Sequence, residues 1–287
     1  RAAPAEDPPA VPAPAPVATD TAEPPAATLV APVVVSDTQP ERAAPAEDPP
    51  AVPAPAPVAT ETANLDLRES ELGAAVKDVK AQLGDGRCVC VLGGQSFNDP
   101  ASEDLVKALG AHLPAAVGDA VVFLTGGMRG VQETFATSAK ETSGVRLFHL
   151  LPENEEPTGW AGTDIHIGAN LHQRKQVFSE VGDIYICAEG GPGVSAEAQR
   201  AVDRGAVVIP LVRTGGASGG MFDFPAAALE RPSFATEDQW SLLSNKGADV
   251  GDSAAAVAAI VAGLMREQAR PSADKKVESE ADTSVTQ

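Results

Sequence analysis

Basic residues are scarce in this chain: 21 Lys and Arg stand against 40 Asp and Glu, a formal net charge of −19 over 287 residues. Phosphate backbones need Lys and Arg to neutralise them, so nucleic acid is excluded as the expected partner. A small phosphate in a local pocket is not excluded, because net charge governs solubility and long-range fields rather than one site. Cysteine is nearly absent. Cys88, Cys90 and Cys187 fall in apolar runs, with Cys88 and Cys90 two apart and hence on one face of a strand. They are expected as small core residues, with neither a disulfide framework nor a zinc spacing. His112, His149, His166 and His172 share no spacing, so no metal and no cofactor is expected. No apolar run reaches the length of a membrane span, so no membrane contact is expected. Aromatic residues are only 4% of the chain.

What is abundant is proline and alanine, and much of the proline lies before residue 60. Residues 1–19 recur without a change as residues 42–60, and another Ala/Pro/Val stretch lies between the copies. Alternating Pro and Ala forms neither a helix nor a sheet ladder, because proline lacks the N–H and fixes φ. The repeat has no aromatic and few large apolar side chains, so it cannot bury a core. Residues 1–63 are therefore expected to be a disordered spacer with extended, polyproline-like conformers. The chain opens on Arg1 rather than Met and shows no signal peptide. The expectation is a fragment or processed product with further repeats upstream, in the cytoplasm.

Composition changes near residue 64, and residues 64–268 read as one domain. Residues 65–83 carry apolar side chains at helical spacing. From Arg87 the pattern alternates. Strands are expected at residues 88–92, 120–125, 145–151, 183–188 and 206–212. Helices are expected at residues 101–115 (capped by Asp99 or Ser102), 131–140, 171–180, 194–204 and 253–268. Residues 269–287 are charged, without periodicity, and expected to be disordered. Near-continuous apolar strands alternating with helices give an α/β fold, a Rossmann-like parallel sheet with helices on both faces. Ligands in such folds bind beyond the carboxyl ends of the strands. Those ends carry Gly93-Gly94, Gly126-Gly127, Gly190-Gly191 and Gly215-Gly216.

Two of these turns have charged neighbours. Glu189-Gly-Gly-Pro-Gly-Val-Ser-Ala-Glu197 follows an apolar strand and opens a helix, with Glu197 expected in its first turn. A glycine turn leading into a helix N-terminus is an anion site, because bare N–H groups and the helix dipole both face the ligand. The basic pair Arg174-Lys175 precedes that strand. Gly126-Gly127-Met128-Arg129-Gly130 is a second phosphate-loop candidate. Gly215 to Gly220 reads either as a flexible loop or as room for close backbone approach to a ligand.

The stretch from Cys88 to about Phe224 resembles the LOG-like family, the cytokinin riboside 5′-monophosphate phosphoribohydrolases once called lysine decarboxylase-like. Three pieces carry the resemblance: Cys88-Val-Cys-Val-Leu-Gly-Gly-Gln-Ser96, Leu124-Thr-Gly-Gly-Met-Arg-Gly-Val-Gln-Glu-Thr134, and Arg174-Lys175 followed by the loop from Glu189 to Glu197. The resemblance implies a small-molecule nucleotide ligand, hydrolysis of its N-glycosidic bond, and a homodimer that completes the pocket. It implies catalytic roles for Arg174 and Glu197. Nucleotide or phosphate binding would fall to Gly93, Gly94, Ser96, Gly126, Gly127, Lys175, Gly190, Gly191, Gly193, Val194 and Ser195. Two positions depart from the family's Pro-Gly-Gly-x-Gly-Thr-x-x-Glu. Glu189 replaces the proline and is expected to bring a negative charge to the anion site unless its side chain points away. Val194 replaces the threonine and removes a hydroxyl donor. These departures keep a second reading open, a nucleotide-binding or sensing module without efficient catalysis.

Overall fold

The structure is a computed structural model and describes residues 66–269. The expected repeat region, Leu65, and the expected tail beyond Ala269 lie outside the described residues. In chain order the helices and strands are α1 (Glu69–Leu83), β1 (Arg87–Gly93), α2 (Pro100–Val117), β2 (Val121–Thr125), α3 (Val131–Ala139), β3 (Leu147–Leu151), β4 (Thr163–His166), α4 (Leu171–Val181), β5 (Ile184–Ala188), α5 (Pro192–Asp203), β6 (Val207–Pro210), α6 (Ala226–Leu229), α7 (Glu237–Ser244) and α8 (Val250–Ala269).

Local chemistry explains the helix starts. The Asp99 side chain accepts from the Ala101 N–H at 2.9 Å, and Pro100 sits at the first helical position, where its missing N–H costs nothing. Asp99, not Ser102, is thus the cap of α2. Asn170 caps α4 by accepting from the Gln173 N–H at 3.0 Å. Thr236 and Gln239 form a reciprocal capping box on α7.

The six strands pair in parallel in the order β4-β3-β2-β1-β5-β6. Alternation along β1 divides the core in two. Val89 and Val91 face a layer built from α2, α3 and α8, including Leu105, Phe135 and Val257. Cys88, Cys90 and Leu92 face the opposite layer from α1, α4 and α5, including Val79, Phe178 and Ala198. Helices therefore cover both faces, the expected Rossmann-like α/β arrangement. The three cysteines are buried and free. Burial pushes the Cys90 thiol up, and burial followed by the Glu197 charge does the same to Cys187. Such thiols are poor nucleophiles.

Several expected boundaries move. Strand β6 stops at Pro210, which lacks the ladder donor, and Val212–Thr214 tightens into a 3₁₀ turn. Helix α5 begins at Pro192, two residues before the expected start. Glu197 therefore falls in the second turn rather than the first. Strand β4 is absent from the sequence expectations because it is an edge strand with only Ile165 buried, so no apolar run marks it. Helices α6 and α7 are likewise additional. Among the described residues, no helix is long and apolar enough to cross a membrane, and no group of His, Cys, Asp or Glu is placed to hold a metal.

The topology locates the site. The chain leaves β1 toward β2, β3 and β4, then returns through α4 to the other side of β1 for β5 and β6. The strand order reverses between β1 and β5. A crevice at their carboxyl ends is the ligand position in open α/β sheets.

Candidate functional site at the strand reversal

A cavity of about 230 Å³ lies at that crevice. The expected residues Gly93, Gly94, Arg174, Lys175, Gly191, Gly193, Val194 and Glu197 line it, together with Gln95, Met128 and Gln132. Ser96 and Gly190 line a second cleft of about 530 Å³ next to it. Ser195 is buried within α5, and Gly126 and Gly127 lie outside both sets of lining residues. Another cleft of about 530 Å³, lined by Asp66, Glu180, Arg200 and Arg204, lies away from the strand ends. It holds charges of both signs and no buried unpartnered group.

Arg174 and Glu197 meet in the first cavity. Arg174 is 1% exposed and Glu197 is 7% exposed, with Nη1 and Oε1 at 3.5 Å. That distance makes an ion pair but not a hydrogen bond. Arg174 Nε and Nη2 and Glu197 Oε1 have no hydrogen-bond partner at all. Phe178 supports the guanidinium from below, with Cζ 5.7 Å from the ring centroid. Burial lowers the Arg174 pKa and raises that of Glu197, and in each case the partner's opposing charge is the smaller effect. Both ends of the pair thus lose more solvation than they regain from each other. Buried polar groups in native proteins are nearly always satisfied, so three orphaned atoms on a cavity wall call for something in the cavity. The loop after β2 makes the place of Arg174. A Cβ on Gly126 would come within 2.9 Å of the Arg174 Cζ, so this glycine makes room for the guanidinium.

The two glycine loops differ in how their donors are used. After β2, the Gln132 side chain accepts from the N–H groups of Gly126 (2.8 Å) and Met128 (3.1 Å). Thr125 Oγ1 accepts from Gly127 at 3.2 Å. These three donors are already engaged, and the loop supplies space rather than free N–H groups at these positions. After β5, the N–H groups of Gly190, Gly191 and Gly193 make no hydrogen bond among the described residues. The Lys175 Nζ lies 3.2 Å from where a Gly193 Cβ would be, at the N-terminal end of α5. A cation at the positive end of a helix is repulsive unless an anion lies between them. Gly191, Gly193 and the ammonium line the same cavity, an arrangement that fits a phosphate or carboxylate.

Glu189 does not face that place. It is fully buried, and its carboxylate accepts from the Asn98 N–H (2.9 Å to Oε2), from Asn98 Nδ2 (3.0 Å) and from the Asp99 N–H (3.3 Å). Its own N–H donates to Thr214 Oγ1 at 2.8 Å. The expected extra negative charge on the anion site is therefore directed at the start of α2, where the positive helix end stabilises it. Glu189 holds φ of 50°, a left-handed conformation that proline, fixed near −65°, could not adopt. Within Gly215 to Gly220, Ala217–Gly219 forms a 3₁₀ turn rather than a flexible loop. A Cβ on Gly216 would come within 2.6 Å of the Gly190 carbonyl, so here the close approach is between two loops of the protein.

Gln132, Gln95 and Met128 were not among the expected site residues. Gln132 was legible in principle, since it stands in the first turn of the helix after a glycine loop, where a side chain can fold back onto bare N–H groups. His149, buried with Nδ1 at 2.7 Å from Thr125 Oγ1, is a core group whose pKa burial lowers.

No protein of curated function matches the chain. Among solved structures it is similar to the protein TM1055, at 25% identity over 47% of this chain and 79% of that one, with a TM-score of 0.41. It is also similar to the molybdenum cofactor carrier protein of Chlamydomonas reinhardtii, at 20% identity over 62% and 99% of the two chains, with a TM-score of 0.42. A third is the molybdenum cofactor binding protein of the phototrophic bacterium Rippkaea orientalis, at 22% identity over 43% and 75%, with a TM-score of 0.36. Residues 86–230, half of the chain, match the SLOG cluster4 family, and they include all three pieces of the LOG-like resemblance. The chain belongs to the SLOG cluster4 family and carries its LOG-like nucleotide-binding fold.

Proposed function

We propose that this protein hydrolyses the N-glycosidic bond of a nucleoside 5′-monophosphate. One observation carries the reading: a buried Arg174–Glu197 pair with orphaned polar atoms stands beside free loop N–H groups and Lys175 in one cavity. The 5′-phosphate would lie on Gly191 and Gly193 with Lys175, placing the ribose toward the pair. The C1′–N bond breaks and the base departs. A water oxygen bonds to C1′, and its proton passes through the Glu197 carboxylate to the departing base. The transition state has oxocarbenium character, which a carboxylate near the sugar stabilises. Arg174 orients the substrate and balances the carboxylate. A homodimer and a single domain over residues 64–268 belong to the same proposal; light scattering and limited proteolysis check them.

The direction of Glu189 favours catalysis, because no second negative charge repels the phosphate. Val194 favours the alternative reading, a binding or sensing module. It lines the cavity with methyl groups where a hydroxyl would donate. Incubation with a panel of nucleoside monophosphates, following free base and thermal stability, separates the two. Base release lost in Arg174→Ala and Glu197→Ala supports hydrolysis, with an expected loss of about 10²–10³-fold for each. Stabilisation without release supports sensing, and a ligand at about 100 times its Kd gives roughly 2.7 kcal/mol. Neither signal across the panel overturns both.

A further inference from the structure

The second cleft adjoins the reaction cavity. The two share Gly94, Gln95 and Gly191, which form the partition between them. The reaction cavity lies over β2, β1 and β5, and the second cleft lies over β1, β5 and β6. The residues with free N–H groups straddle the partition: Gly193 lines the reaction side, Gly190 the far side, and Gly191 both. The nearly fully buried Arg174, with two orphaned nitrogens, independently marks the reaction side as a ligand site. An anion held on these donors therefore has space on both sides of it. A monophosphate is a terminal group and fills one side only.

The outer wall of the far side is unusual for this protein. Met221 and Phe222 line it, and they are 54% and 46% exposed, the two most exposed large apolar side chains among the described residues. Phe222 and the following Asp223 hold φ of 60° and 56°, a costly left-handed conformation for side-chain-bearing residues. Such strain persists only where surrounding structure enforces it, and it gathers at ligand clamps. The segment leading into these two residues is anchored. The Met221 N–H donates to the Gly216 carbonyl at 3.2 Å, and Gly216 abuts Gly190. Arg213 ties the same segment to the α7–α8 connection through the carbonyls of Lys246 and Ala248. The loop is thus fixed while presenting an aromatic ring to solvent at the mouth of a cleft.

We propose that the ligand is a nucleotide extended beyond its 5′-phosphate. A second flat aromatic or apolar group, joined through a phosphodiester or diphosphate, would lie in the far cleft against Phe222 and Met221. This rests on the phosphate placement proposed above. Phe222 and Met221 are then specificity-determining residues outside the catalytic pair.

The test is calorimetric titration of the protein with three probes. The base is chosen as the best from the monophosphate panel, and the probes are its nucleoside monophosphate, its nucleoside diphosphate and the dinucleoside diphosphate. The dinucleoside compound should bind more tightly than the monophosphate by about tenfold or more, the scale of one base–aromatic stack. The nucleoside diphosphate, which adds charge without a ring, should recover little of that gain. Phe222→Ala and Met221→Ala should erase the gain and leave monophosphate affinity unchanged; both side chains are half exposed, so their truncation leaves the core intact. Equal affinities for all three probes, or a gain that survives both substitutions, overturns this inference alone. Failure of every nucleotide to bind overturns it together with the reading on which it rests.

Discussion

Glu189 opens the loop after β5 and Glu197 lies in the second turn of the helix that follows; both are buried carboxylates, yet they live under opposite conditions. Glu189 is met by three donor groups from the start of α2. Glu197 has one arginine at 3.5 Å and an oxygen with no partner. The first is a complete network that fixes one loop against another. The second is an incomplete one that faces a cavity. Burial alone does not distinguish the two carboxylates; what distinguishes them is whether the oxygens already have donors.

Breaking the complete network should have the largest effect on stability. Glu189→Ala leaves the donors of Asn98 and Asp99 without their acceptor, and hydrogen bonds to a charged group contribute about 1.5–3 kcal/mol each. We expect a loss of about 2–4 kcal/mol in urea unfolding, recovered only in part by Glu189→Gln, whose single amide oxygen can accept from some of these donors. The incomplete network should respond in the opposite sense. Replacing both members with apolar residues, Arg174→Met with Glu197→Leu, should be neutral or stabilising by about 1–4 kcal/mol, while abolishing activity. A clear loss of stability in that double variant would show the pair to be structural.

The pH dependence sharpens the same contrast. The folded-state pKa of Glu197 is raised above its ordinary 4.5, chiefly by burial. Its protonated form is therefore the one the fold favours. That contribution is fully present below pH 4.5 and is lost as pH rises through the raised value. Glu197→Gln mimics the protonated form. Its melting temperature should match the natural protein's in acid and exceed it increasingly toward neutrality. The acid limb of the rate profile should also lie above the ordinary carboxylate range, because the proposed catalysis needs the charged form. A Tm difference that is constant with pH would contradict this. The smallest expected effect is at Val194. Val194→Thr restores a hydroxyl to the cavity wall and should tighten monophosphate binding by about 0.5–1.5 kcal/mol, measured by titration.

The sheet was legible because its inner strands are buried on both faces and read as apolar runs, such as Val121 to Leu124. Strand β4 was not, because only Ile165 of its four residues is buried. Helix α7 left a readable mark, the Thr236 and Gln239 capping box, within a polar region that offered no apolar stripe. In the site, Arg174, Lys175 and the β5 glycine turn could be read because they are local patterns. The role of Glu189 could not. Its partners lie about ninety residues earlier, and a sequence shows its charge but not its direction. The loop after β2 misled for a related reason: glycine spelling is the same whether the N–H groups are free or taken by Gln132.

The most direct measurement compares base release by Glu197→Gln and Glu189→Gln on the same nucleoside monophosphate, with folding checked in both. The account predicts that Glu197→Gln binds the nucleotide but loses base release by about 10²–10³-fold, whereas Glu189→Gln releases base within a few-fold of the natural rate. Base release by Glu197→Gln at the natural rate would contradict it.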